Sequence, residues 1–162
     1  MRLELVPIEH DGTPRGFSGE LAEEAHDGLE ATVGFYRAMG FERPWISYLG
    51  VADGAAVGIC SFKSRPIDGR VEIGYFTFPQ HEGRGVATAM AAELIAIAAA
   101  CDPSVLVTAQ TLCERNASHR VLEKLGFSAV GTVDHPQDGT VLEWHHTLEV
   151  THAKKRIGGL ER

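Results

Sequence analysis

Cysteine is scarce and unpatterned in this sequence. Cys60, Cys101 and Cys113 are odd in number, widely spaced and form no CxxC, which argues against both a disulfide framework and a thiolate zinc site. Reduced, partly buried thiols are expected. Long apolar runs are missing too. The longest, GVATAMAAELIAIAAA, carries Glu93 near its middle and falls short of the roughly 20 residues a membrane helix needs. No basic segment leads into an apolar run and a small-residue cleavage site, so no secretory signal is expected and the protein is placed in the cytoplasm. Positive charge is in deficit: 15 Lys and Arg against 22 Asp and Glu leave −7, which disfavours nucleic-acid phosphates and suits a cationic partner. The one basic cluster, KKR at 154 to 156, reads as a solvated terminal tail.

What is present suits one α/β domain. The 162 residues are 44% hydrophobic, enough for a real core, and no repeat, linker or low-complexity stretch divides them. A domain over 1–150 and a basic tail over 151–162 are expected. RLELVPI alternates as a half-buried strand ending near Glu9, and residues 19–39 carry helical spacing that Gly28 and Gly34 are expected to weaken or divide. Two strands joined at Ala52-Asp53-Gly54 follow, then RVEIGYFTF, which together suggest an antiparallel meander. A helix from about Gly85 to Ala100, a strand at SVLVTAQT, a short helix in ASHRVLEKLG and strands around FSAVGTV and TVLEWHHTL complete the order. The pattern predicts a mixed sheet, antiparallel in part and parallel where the long helix crosses between strands.

PQHEGRGVATAM, at 79 to 90, steps from a glycine loop into an apolar helix. Backbone N–H groups without intrahelical partners and the positive end of the dipole make such a step a potential anion site. Gly83 and Gly85 let a phosphate approach the backbone, and Arg84 adds charge. A Walker loop needs Lys and then Ser or Thr where Val86 and Ala87 stand. A dinucleotide fingerprint wants a third glycine where Thr88 stands. A plain glycine turn ahead of a buried helix remains the alternative.

The pattern Gln80-x-x-Gly83-x-Gly85-Val86-Ala87, with EIGYFTF before it and ERNASHRVLEKLGF at 114 to 127 after it, resembles the GNAT superfamily of N-acetyltransferases. It is most similar to the branch that acetylates the N-termini of ribosomal proteins. The resemblance runs closely from Val71 to Phe127. It implies a sheet of six to seven strands flanked by helices, in which two central parallel strands splay apart to admit acetyl-CoA. It implies pantetheine pairing with the backbone of Phe76, Thr77 and Phe78, and pyrophosphate bonds from N–H groups of Gly83, Arg84, Gly85, Val86, Ala87 and Thr88. It also implies polarisation of the acetyl carbonyl near the Phe78 N–H.

The reaction moves two protons, off the amine and onto the leaving thiolate. Leu122 stands where many members of the superfamily carry a tyrosine acid. Ser118 occupies the position of a serine that contacts the thiol in the ribosomal-protein branch; it either positions or relays a proton or is a polar residue of the first helical turn. Asn116 either contacts the cofactor or caps the helix; Arg115 stands where the branch usually has its asparagine. Glu72 is the candidate base. It shares one strand face with Gly74, Phe76 and Phe78, and the alternative for it is a cross-strand ion pair. His81 is expected to face water. His145 and His146 point to opposite faces without ligand spacing elsewhere, so no metal site is expected.

An α-amine of pKa ~7.8 is roughly a quarter neutral near about pH 7.4, against about a thousandth for a lysine side chain. The expected reaction is therefore acetyl transfer from acetyl-CoA to a primary amine, foremost a peptide or protein N-terminus. A small-molecule amine (amino acid, polyamine or antibiotic) and a CoA-binding module without turnover are the alternatives. No membrane or nucleic-acid partner is expected, and the protein is expected to be a monomer or homodimer.

Overall fold

The computed structural model describes residues 1–146. The end of the last expected strand, the boundary at 150 and the KKR tail lie outside the described residues. The chain forms two compact units that divide after Val105.

In the first unit, Leu3–Pro7 (β1), Ser47–Ala52 (β2), Ala55–Phe62 (β3) and Arg70–Thr77 (β4) pair antiparallel in that order, the last three as the meander that the sequence suggests. Asp53 and Gly54 make the β2 to β3 turn with φ of 51° and 79°, the doubly positive geometry that matches hairpin twist. Helix Glu23–Met39 (α1) is continuous, so Gly28 and Gly34 do not divide it. Gly28 instead sits against the sheet, where a Cβ would meet Ile59 Cδ1 at 2.5 Å. The missing side chain draws α1 onto one sheet face.

Helix Val86–Cys101 (α2) covers the other face through Val86, Met90, Ala91, Leu94 and Ala98, all buried. Glu93 is exposed, which resolves the charge inside the apolar run. Met90 lies in a socket made by two glycines. A Cβ on Gly50 would stand 2.8 Å from its Sδ, and one on Gly58 2.8 Å from its Cε. That socket fixes the height of α2 over the meander, and with it the loop that feeds the helix.

In the second unit, Leu106–Leu112 (β5), Phe127–His135 (β6) and Gly139–His146 (β7) pair antiparallel in the order β5-β7-β6. Helix Ala117–Lys124 (α3) follows β5 and buries Leu122 completely. His119 is buried beside it, its Nε2–H donating to the Leu112 carbonyl at 2.9 Å. Its ring packs edge-on against Trp144, whose Nε1–H donates to Thr111 Oγ1 at 2.9 Å. Among the described residues, no helix is long and apolar enough to cross a membrane.

Candidate active site

The glycine step is built as a ligand cradle would be. A short 3-10 turn, Pro79–His81, carries the chain off β4 and is closed by the His81 N–H donating to the Phe78 carbonyl at 2.8 Å. Gln80 donates from Nε2 to Glu24 Oε1 at 2.8 Å and so ties the loop to the first turn of α1. That bond is one of the causes holding the Glu24 carboxyl below the usual range, after a bond from its own backbone.

Gly83 and Gly85 have φ of 76° and 78°, and Gly85 is the left-handed N-cap of α2. A Cβ on either would meet nothing within 4 Å. Glycine is therefore required by backbone conformation, and the space over both Cα atoms is open to a ligand. The Ala89 N–H donates to the Gly85 carbonyl at 3.0 Å, which leaves the N–H groups of Val86, Ala87 and Thr88 in the first turn, beyond the reach of the helical ladder. An exposed Arg84 stands between the two glycines. This loop fits a pyrophosphate.

The backbone of β4 departs from expectation. The Phe78 N–H donates to the Val57 carbonyl at 2.9 Å, and the Lys63 N–H to the Glu72 carbonyl at 2.8 Å. Directed bonds alternate along an antiparallel pair, so Glu72, Gly74, Phe76 and Phe78 turn their backbone groups into β3. Those of Ile73, Tyr75 and Thr77 turn to the opposite edge. The expected pantetheine pairing through Phe76 and Phe78, and polarisation of an acetyl carbonyl by the Phe78 N–H, are corrected on that ground. Thr77 presents the outward backbone. Phe76 is exposed and Phe78 buried, their rings edge-on with centroids 6.1 Å apart.

The side chains of β4 divide between two faces. Val71 and Ile73 are buried on the α2 side, whereas Glu72 and Gly74 are half-buried on the α1 side. Beside them lies a cleft of about 230 Å³ lined by Ala31, Thr32 and Phe35 of α1 and by Ser47, Ser61 and Lys63. The Ser47 and Ser61 hydroxyls meet at 2.6 Å. Lys63 lies across Gly74, where a Cβ would stand 2.9 Å from its Cε. Sequence reasoning passed over these polar residues, although Ile59, Ser61 and Lys63 alternate onto one face; nothing in the alternation says which face a helix will cover.

In the second unit, Asn116 caps α3. Its Oδ1 accepts the N–H groups of Ser118 at 2.9 Å and His119 at 3.3 Å. The capping role weighed for Asn116 is thus the one its carbonyl oxygen fills. Arg115 instead pairs with Glu123, at 2.6 and 3.1 Å; the bond raises the guanidinium pKa and lowers that of the carboxyl. Ser118 is half-buried in the first turn of α3. His145 Nε2 bonds Glu143 Oε2 at 2.9 Å, and His146 Nε2–H donates to the Leu125 carbonyl at 3.0 Å.

The acetyltransferase (GNAT) domain model matches residues 13–128, well over half of the chain, and the protein belongs to this family. Solved structures agree in fold. RimL, a ribosomal L7/L12 α-N-protein acetyltransferase in its apo crystal form 2, aligns with a TM-score of 0.64 at 16% identity, over 88% of this chain and 91% of that one. A chimera of the spermidine N-acetyltransferase SpeG from Vibrio cholerae and hSSAT aligns at 0.63 and 15% identity, over 90% and 95%. The aminoglycoside acetyltransferase AAC(6')-Ib in complex with coenzyme A aligns at 0.57 and 21% identity, over 68% and 70%. No curated protein sequence matches the chain.

Proposed function

We propose that this protein transfers an acetyl group from acetyl-CoA to the α-amine of a peptide or protein N-terminus, as a cytoplasmic enzyme whose working domain is residues 1–150. The family match crosses both compact units, which supports one functional domain. The observation that carries the donor half is the Gly83 to Thr88 loop: two positive-φ glycines with open space above them, at the start of α2. Backbone N–H groups of Gly83, Arg84, Gly85, Val86, Ala87 and Thr88 would hold the pyrophosphate. The outward backbone of Thr77 would pair with pantetheine, with the Phe76 and Phe78 rings as apolar surface beside it. For Asn116, only the Nδ2 amide is left to reach the cofactor.

Bound acetyl-CoA supplies a thioester: the acceptor nitrogen bonds the acetyl carbon as the carbon–sulfur bond breaks. Glu72 accepts the proton released from the amine, directly or through water. Ser118 positions or relays the proton that the departing thiolate takes up. An aliphatic hydroxyl is a weak acid, so this step adds ~10²-fold at most.

RimL is named for a protein N-terminus, which supports the N-terminal reading; SpeG and AAC(6')-Ib are named for small amines and stand as the second reading. Calorimetry with CoA, followed by thiol release over a panel of peptide, amino-acid and polyamine acceptors, separates them. Peptide turnover above that of every small amine is the expected result. CoA binding with no turnover on any amine would leave a CoA-binding module, and no CoA binding would remove both.

A further inference from the structure

We infer that the acceptor amine carries a carboxylate and that Lys63 selects it, an inference that rests on the acetyltransferase reading above. The cleft between α1 and the β2 to β3 face holds about 230 Å³. That is below the roughly 300–1,000 Å³ of pockets that engulf drug-sized ligands. It is open to solvent and takes up one small group of a ligand.

Lys63 is the single charged residue lining the cleft, and it forms no ion pair among the described residues. Its side chain passes over Gly74, where a Cβ would lie 3.1 Å from Nζ. The remaining polar lining is neutral and already engaged. Ser47 and Ser61 bond each other, and Thr32 Oγ1–H donates to the Gly28 carbonyl at 2.8 Å. Within the cleft lining a ligand therefore meets one charged side chain, that of the exposed Lys63.

Across the sheet the partner of Lys63 is Glu72, whose carbonyl accepts the Lys63 N–H. Residues directly opposite in an antiparallel pair project to the same face. An ammonium and a carboxylate thus leave adjacent strands on one face, Lys63 in the lining of the cleft and Glu72 beside it, so a ligand whose carboxylate meets Lys63 carries its amine on the Glu72 side. The net charge of −7 over the whole chain attracts cations from a distance, but this cleft carries the opposite sign. Polyamines and aminoglycosides, whose second ammonium would meet Lys63, are disfavoured. The same chemistry occurs in a free amino acid and in a peptide whose first residue is Asp or Glu.

The test measures Kd by calorimetry on the CoA-loaded protein, and kcat/KM by thiol release. The ligands are three peptide amides that differ only in their first residue (Asp, Ala or Lys), free aspartate and spermidine. The wild type is expected to favour Asp over Ala by about five- to tenfold, and Lys least of the three. The preference should shrink at about 0.5 M salt. K63R should keep this order and K63E reverse it. Tighter binding of free aspartate than of the Asp peptide would assign the carboxylate to a small molecule and support the inference equally. The same order in K63E as in the wild type, a wild-type preference for Lys or spermidine, or no binding of any amine would overturn it. Lys63-dependent binding without thiol release would sink the transferase reading and leave the cleft assignment standing; thiol release indifferent to Lys63 would do the reverse.

Discussion

The hydroxyl of Tyr36 accepts the Ser47 N–H at 2.9 Å and donates to the Ile8 carbonyl at 2.8 Å. One buried oxygen thereby ties α1 to the chain that follows β1 and to the start of β2. Ser47 in turn supplies a hydroxyl to the cleft beside Gly74. Burial pushes the Tyr36 phenol up from its ordinary pKa, so the neutral, donating form persists across physiological pH.

Y36F removes this oxygen and leaves the buried Ser47 N–H without its acceptor. A loss of about 1–3 kcal/mol is expected, read as a lowered denaturation midpoint with unchanged slope. An unchanged midpoint would mean that water reaches the Ser47 N–H.

The Met90 socket makes a second prediction. G58A brings a Cβ to 2.6 Å from the Phe76 carbonyl oxygen as well as onto Met90, so relief requires backbone movement. We expect a loss of about 2–3 kcal/mol. G50A, which presses mainly on the flexible Met90 side chain, should cost less. Equal thermal shifts for the two variants would refute this ordering.

At the glycine step, G85A puts a side chain where φ is 78°, at a backbone cost of about 1 kcal/mol. That strain should tilt the first turn of α2 and weaken CoA binding by about tenfold, with a smaller effect on stability. Calorimetry that finds G85A binding CoA as tightly as the wild type would show that the loop does not hold the pyrophosphate.

S118A should lower kcat by up to about 10²-fold while KM for acetyl-CoA changes little. E72Q should remove the ionisation that governs the acidic limb of the kcat/KM profile. A profile of identical shape in E72Q would leave Glu72 a structural residue.

Alkaline pH offers a test of the core. Burial raises Tyr48 to about 12, and it raises Tyr36 and Cys60 in the same direction. Each native pKa then lies above its unfolded value, so the native state holds more protons than the unfolded one. Stability is full below the unfolded values, near pH 9 to 10, and falls as pH rises toward the native ones. For Tyr48 alone the loss should not exceed about 3 kcal/mol. Y48F should flatten part of that decline in pH-dependent unfolding.

Much of this was legible in the residues. The Asp53-Gly54 hairpin, the alternation in β4 and the glycine step are local signals whose geometry follows from φ and from side-chain period. They gave the meander, the start of α2 within a residue or so, and the glycine loop before it. Gly28 misled, because a lone glycine in a helical pattern reads as a breaker until an Ile59 is seen pressing on it. For Asn116 the chain pattern allowed a cap or a cofactor bond, and its Oδ1 caps α3; the Phe78 N–H bonds Val57 instead of facing outward.

By itself the sequence determined the order of the elements, the family pattern from Gln80 to Ala87 and the residues able to do proton chemistry, because these depend on contacts between near neighbours in the chain. Tertiary structure alone decided which backbone groups of β4 face outward, through the Phe78 to Val57 bond. It alone brought Lys63 across Gly74 beside a cleft walled by α1. Hydrogen-bond phase and shared faces arise from pairing between strands, and a strand cannot announce which of its two edges its partner will take.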